Sequence, residues 1–183
     1  MKNVVIRMEP TLNPNYAFNI RSFFTDRETR DIGGGLVLWR GYFQSIRPAV
    51  GRMLINVDIS TGVMYKPGNL LDLCMQFFGR NDPNILAPRR GFPDRERVRL
   101  QRFLTGIRIF TTSPQAGVTN RTRPRIVKKV STGGANDLTF SLRGGGQMTV
   151  AQYFVNTYQR PLQYPDVVCV EVSRAGHIVS ERQ

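Results

Sequence analysis

The chain has 183 residues, of which 40% are hydrophobic, and a formal net charge of +13 from 26 Lys and Arg against 13 Asp and Glu. That length suits one domain, or one domain with a substantial linker, and the apolar content excludes a disordered chain. Two cysteines, Cys74 and Cys169, exclude a disulfide framework and lack metal-ligand spacing.

In chain order, VVIRME (4–9) alternates apolar and polar residues as a half-buried strand does. RSFFTDRETRDIGGG reads as a charged loop that ends in three glycines. LVLWRGYFQS (36–45) and RMLINVDIS (52–60) read as strands joined by a turn through IRPAVG. Asn69 is placed to cap a helix through LLDLCMQFFG, with Leu70, Leu73, Cys74 and Phe77 at helical spacing. After a Pro, Gly and Arg-rich loop, Asp94 is expected to cap RERVRLQRFLTG, with Leu100, Phe103 and Leu104 inward and Gly106 as the stop. IRIFTT (107–112), RIVKKVS (125–131), LTFSL (138–142) and VVCVEV (167–172) read as strands. Before the last of them, TVAQYFVNTY reads as a helix opened by the capping box of Thr149 and Gln152. The order predicts an α+β fold built around a small barrel.

The charge is localised. Twelve basic residues lie between Arg89 and Lys129, opposed only by Asp94 and Glu96, so this stretch carries +10 of the +13. Such an excess calls for a polyanion, and Arg in place of Lys suits phosphate, whose geometry matches the planar fork of the guanidinium. A membrane surface fits less well, because neither a lipidation signal nor an apolar run of membrane length is present. A soluble, intracellular protein is expected.

Catalysis has few places to reside. The single histidine, His177, leaves no Ser-His-Asp or Cys-His set, and the acids form no close group for metal-assisted phosphoryl chemistry. The glycine runs at 33–35 and 144–146 lack the Gly-Lys-Ser/Thr ending of a phosphate loop. No catalytic residue, metal or cofactor is expected. The rings of Tyr153, Phe154 and Tyr158 have two readings. Taken alone, the helix uses them as core and rim, Phe154 above all. Beside the basic stretch, Tyr153 and Tyr158 form a platform that stacks bases and donates hydroxyl hydrogen bonds to phosphate.

Several phrases together resemble a eukaryotic Argonaute of the fungal type. IRSFFTDRETRDIGGGLVLWRGYFQSIRPAVGRMLINVDIS resembles the run from the N domain through the first linker. LQRFLTGIRI, LTFSL and MTVAQYFVNTYQRPLQYPDVVCVEV resemble the PAZ domain that follows. The resemblance implies residues 1–65 as the end of the N domain and linker 1, 66–175 as PAZ, and 176–183 as a truncated start of linker 2, in a fragment of a longer protein. It implies an OB-like β-barrel with an appended hairpin-helix lobe, and a cleft between them for the 3′ end of a single-stranded small guide RNA.

By the same resemblance, Tyr153 and Tyr158 match positions that contact the terminal phosphate, and Phe140 matches the aromatic residue that packs on the last nucleotide. Arg123 falls at a phosphate-binding position, with Arg125 beside it and Lys128 and Lys129 further along. Silencing-complex proteins are implied as further partners, in the cytoplasm or also the nucleus, and any nuclease activity would belong to another domain of the parent. Ser113 and Pro114 stand where animal relatives have a histidine, which motivates an alternative: an electrostatic RNA-binding or structural fragment whose 3′-end pocket is incomplete. A structural fragment would use Trp39, Tyr42 and Phe43 of the linker as an interface to partners, although the first reading of these three residues is an ordinary strand core.

Overall fold

The computed structural model describes residues 12, 16–19, 22–110, 124–142 and 144–174. The strand expected at 4–9 lies outside them, as do residues 111–123. The described residues fall into two units that divide between Gly79 and Arg80.

In the first unit, β1 (Tyr16–Phe18), β2 (Ser22–Gly33), β3 (Leu36–Ala49) and β4 (Arg52–Tyr65) form an antiparallel sheet in that spatial order. The segment expected to be a charged loop is therefore mostly strand. Ser22, Phe23 and Phe24 are buried at the start of β2, and pairing with β3 runs from Ser22 opposite Phe43 to Gly33 opposite Leu36. The charged residues are tolerated because β2 leaves the core after Thr25 and its remaining side chains face solvent. The ladder is interrupted twice there, between Asp31 and Gly33 and more widely between Thr25 and Thr29: Thr25 lies opposite Arg40 and Thr29 opposite Trp39, so Asp26, Arg27 and Glu28 bulge out. Gly34 and Gly35 close the hairpin with φ of 61° and 78°, the left-handed pair that a two-residue turn demands.

The β3–β4 hairpin is longer than expected. Pairing continues to Ala49 opposite Arg52, which leaves only Val50 and Gly51 as the turn. Pro48 fits inside β3 because β2 pairs no further than Phe43, so one side of β3 has no ladder bond to lose. α1 (Leu70–Phe78) is capped as expected by Asn69, whose Oδ1 accepts from Leu71 N at 3.0 Å. Gly79 ends it at φ 62°, and Leu73, Cys74 and Met75 are its buried face.

The second unit holds a three-stranded antiparallel sheet, β5 (Arg108–Ile109), β6 (Arg125–Gly134) and β9 (Val168–Arg174), with β6 central. A separate hairpin joins β7 (Thr139–Ser141) to β8 (Gln147–Thr149). Two short 3-10 turns, Pro83–Leu86 and Pro88–Arg90, precede α2 (Asp94–Leu104), and α3 (Val150–Tyr158) follows β8. Its core contains Leu86 and Ala87, Leu100 and Leu104 of α2, and Val127 and Val130 of β6, all at most 1% exposed.

α2 starts one residue away from expectation. Pro93 occupies the cap position without a side-chain hydrogen bond, and Asp94 sits inside the first turn, where its carboxylate suits the helix dipole and pairs with Arg97 at 2.7 Å. The helix is fastened to β6 at Val130, where the strand is irregular. Gln101 Oε1 accepts from Val130 N at 3.1 Å, and Arg97 donates to Val130 O at 3.1 Å. Both backbone groups of a fully buried residue are thus satisfied by helix side chains. Gly106, at φ 90°, turns the chain so that its N–H reaches Val127 O at 2.9 Å. The second unit is α+β, and among the described residues its strands form no closed barrel.

Candidate functional site

The turn Gly134–Ala135–Asn136–Asp137–Leu138 positions the ring-bearing helix. Gly134 O accepts from Asp137 N and Leu138 N, and Asp137 Oδ2 accepts from Gly134 N at 3.2 Å. Two carbonyls of this turn meet the first N–H groups of α3: Leu138 O accepts from Val150 N at 2.9 Å and Ala135 O from Ala151 N at 3.0 Å. Those amides are orphans of any helix start, so the turn completes the cap. Thr149 and Gln152 supply the expected capping box, with reciprocal hydrogen bonds of 3.1 and 3.0 Å. The same turn holds the chain before β9, because Asn136 Nδ2 donates to Asp166 Oδ1 at 2.8 Å.

α3 and the β7–β8 hairpin bring four rings together. Tyr153 meets Phe140 edge-on, centroids 5.5 Å apart, and meets Tyr158 at 5.9 Å and 90°. Phe154 lies 6.3 Å from Tyr153 and 5.3 Å from Tyr158. Edge-to-face contacts of this kind hold rings in place without stacking their faces together. Phe140 is exposed and both tyrosines are half-buried, and α3 has no fully buried residue. The Tyr158 phenol is pushed above its ordinary value of 10.0, first by a hydrogen bond to the Tyr153 side chain and then by its charge. Gln159 follows Tyr158 with φ 52°, a left-handed helix end that would favour glycine.

Of the other expected site residues, Arg125, Lys128 and Lys129 stand on β6, while Arg123 lies outside the described residues. The pairing slips between Val127 and Lys129, so Lys128 and Lys129 are both exposed instead of alternating across the sheet. Lys129 is opposite Glu171. Arg125 is opposite Ile109 on one side and Arg174 on the other, with Arg108 next to Ile109.

The basic stretch is partly self-neutralised. Arg97 and Arg99 pair with Asp94 and Glu96, and Arg89 donates from Nε to Asp137 at 2.9 Å. Among the described residues, Arg90, Arg95, Arg102, Arg108, Arg125, Lys128 and Lys129 enter no ion pair. Arg97 is therefore structural, and its role was hidden in the sequence because nothing there showed that α2 would cross Val130. Phe154, read as core, is also part of the ring cluster. Met148 is opposite Phe140 in the β7–β8 register. Among the described residues no three His, Cys, Asp or Glu side chains gather to hold a metal, and no helix is long and apolar enough to cross a membrane.

Residues 20–66 match the family model of the Argonaute linker 1 domain, and residues 72–181 match that of the PAZ domain. The chain belongs to the Argonaute family. It is 33% identical over 171 residues to Protein argonaute 14 of Oryza sativa subsp. japonica, covering 92% of this chain and 16% of that protein. Protein argonaute of Schizosaccharomyces pombe is 29% identical over 169 residues, 88% of this chain and 19% of that one. The crystal structure of Kluyveromyces polysporus Argonaute with a guide RNA shares the fold, with a TM-score of 0.54 at 14% identity over 90% of this chain and 20% of its own. This Argonaute chain thus spans 16–20% of the length of these relatives.

Proposed function

We propose that the PAZ domain of this chain binds single-stranded small RNA at its 3′ end, largely without regard to sequence. The observation that carries the proposal is the cluster of Phe140 on β7 with Tyr153 and Tyr158 on α3, a helix whose start the turn at 134–138 caps. In this reading the hydroxyls donate to the terminal phosphate, and Phe140 packs on the last nucleotide. Arg125, Lys128, Lys129 and Arg123 meet the phosphates that lead into the site. Ring stacking and phosphate contacts carry no base code, so sequence independence follows. The name of the Kluyveromyces relative, an Argonaute with a guide RNA, supports the choice of ligand.

The β5–β6–β9 sheet with α2 is, in the same proposal, part of an OB-like barrel, and the β7–β8 hairpin with α3 is its appended lobe. The chain is a binding module with no catalytic step of its own, works in the cytoplasm or nucleus, and meets silencing-complex proteins as part of a longer parent. The test is photocrosslinking with a short RNA whose last nucleotide is 4-thiouridine. Crosslinks within residues 139–158 are expected. Crosslinks spread over the basic residues with none in that segment would favour a purely electrostatic surface, the reading that the unpaired cations of α2 and β6 support.

A further inference from the structure

The linker sheet has a cavity of its own. It measures about 310 Å³ and is walled by the rings of Tyr16, Phe23 and Tyr42, with Arg27 and Gln44 also lining it. The sheet register explains the gathering: Tyr16 is opposite Thr25, and Phe23 is opposite Tyr42, so rings from three neighbouring strands share one face. The bulge at 26–28 supplies the charged part. Thr25 Oγ1 accepts from Arg27 N at 3.2 Å, which fixes the bulge at its base. Glu28 is neutralised by Arg40 at 2.6 Å, whereas Arg27 enters no ion pair among the described residues. The local balance at the cavity is therefore one uncompensated guanidinium above aromatic walls.

We propose that this cavity is a second nucleotide site, separate from the ring cluster of the PAZ domain, and takes one unpaired nucleotide of a bound RNA. The choice of RNA as the source rests on the function proposed above. Tyrosine faces stack a base of any identity, the Gln44 amide offers a donor and an acceptor to a base edge, and Arg27 meets the phosphate. The volume is at the small end for ligand sites, which suits one nucleotide and not a folded element. A peptide without a carboxylate would suit the rings but would leave Arg27 without an anion, and over an acidic peptide a nucleotide is favoured because the RNA is the ligand of the function proposed above.

The test uses adenosine 5′-monophosphate as the probe, followed by saturation-transfer NMR on the whole chain in the Tyr153→Ala/Tyr158→Ala background, which removes the PAZ rings. Binding is expected to persist there and to weaken at least about fivefold when Arg27→Ala is added, as removal of a charge-assisted hydrogen bond implies. Arg30→Ala, on the same strand but away from the cavity, is expected to leave it unchanged. Loss of all binding in the tyrosine background, or equal effects of Arg27→Ala and Arg30→Ala, would overturn the proposal. So would saturation of the cavity by a tryptophan-bearing peptide that the nucleotide cannot displace. None of these outcomes bears on 3′-end preference in the native chain, so failure here is distinct from failure of the PAZ reading.

Discussion

Tyr153 and Tyr158 of α3 meet edge to face, centroids 5.9 Å apart and planes at 90°. The pairing has a titration signature. Tyr158 is raised above 10.0 chiefly by Tyr153, so the neutral phenol is favoured in the folded chain. That contribution is fully present below the ordinary value and is lost as pH rises through the higher folded one. Tyr153→Phe is expected to bring the Tyr158 midpoint back toward its ordinary value, read by phenolate absorbance in an alkaline titration. An unchanged midpoint would mean that the hydroxyls do not interact.

Lys128 and Lys129 are both exposed because the β6–β9 register slips between Val127 and Lys129. If both meet phosphate, Lys128→Ala/Lys129→Ala makes the slope of log K against log salt shallower, by about 0.7 for each phosphate of a single strand that is no longer neutralised. An RNA-binding salt series on native and variant chains reads this directly. An unchanged slope would remove both lysines from the interface.

Arg97 and Gln101 are expected to matter for stability and little for RNA. They satisfy the buried N–H and C=O of Val130, and removal leaves those groups unpaired at about 1–3 kcal/mol each. Thermal unfolding of Arg97→Ala and Gln101→Ala is expected to fall well below that of Arg95→Ala or Arg102→Ala, whose side chains enter no ion pair among the described residues.

Gly134 links fold and site. A Cβ there would lie 2.6 Å from Asp166 O and from Pro165 O, which are backbone atoms that cannot step aside. Gly134→Ala is expected to cost about 1–3 kcal/mol as overpacking does. It should also loosen the turn that caps α3, so RNA affinity should fall more than for an equally destabilising change in the first unit, such as Gly62→Ala. Denaturant unfolding beside RNA titration separates the two effects.

Cys74 is a buried thiol pushed up to about 11 by desolvation. Its protonated form is favoured by the fold below the ordinary value of 9.0, and that contribution is lost as pH rises through about 11. At pH 8 its alkylation by iodoacetamide is expected to be roughly a hundredfold slower than that of a free thiol, from thiolate fraction alone. Mass spectrometry of the labelled peptide checks it.

Local chemistry was legible where it is local. The capping box of Thr149 and Gln152, the Asn69 cap, the inward face of α2 and the rings of α3 all follow from spacing within a few residues. What failed to show in the sequence depends on partners distant in the chain. β2 looked like a loop because its charges outnumber its apolar residues, and pairing with β1 at its start and β3 along its length makes it a strand. Pro48 looked like a turn residue because the sequence could not say that β2 stops at Phe43. Asp94 looked like a cap because Asp is a favoured capping residue, but the helix begins one residue earlier, with Pro93 in the cap position. For the site, the grouping of Phe140 with Tyr153 and Tyr158 came from resemblance to the family, and the β7–β8 register supplies its physical reason. The cavity beside the bulge at 26–28 left no trace in the sequence, since it arises from three strands and an interruption in their ladder.

The central claim is that the paired tyrosines recognise an RNA end, and not merely its charge. The measurement is fluorescence anisotropy with one labelled single-stranded RNA, free or blocked at its 3′ end, on the native chain and on Tyr153→Ala/Tyr158→Ala. The expected result is tighter binding of the free end by the native chain, with that preference abolished in the variant while the residual salt-dependent binding remains. Equal affinity of the native chain for both RNAs would contradict the claim and leave the rings of α3 as packing.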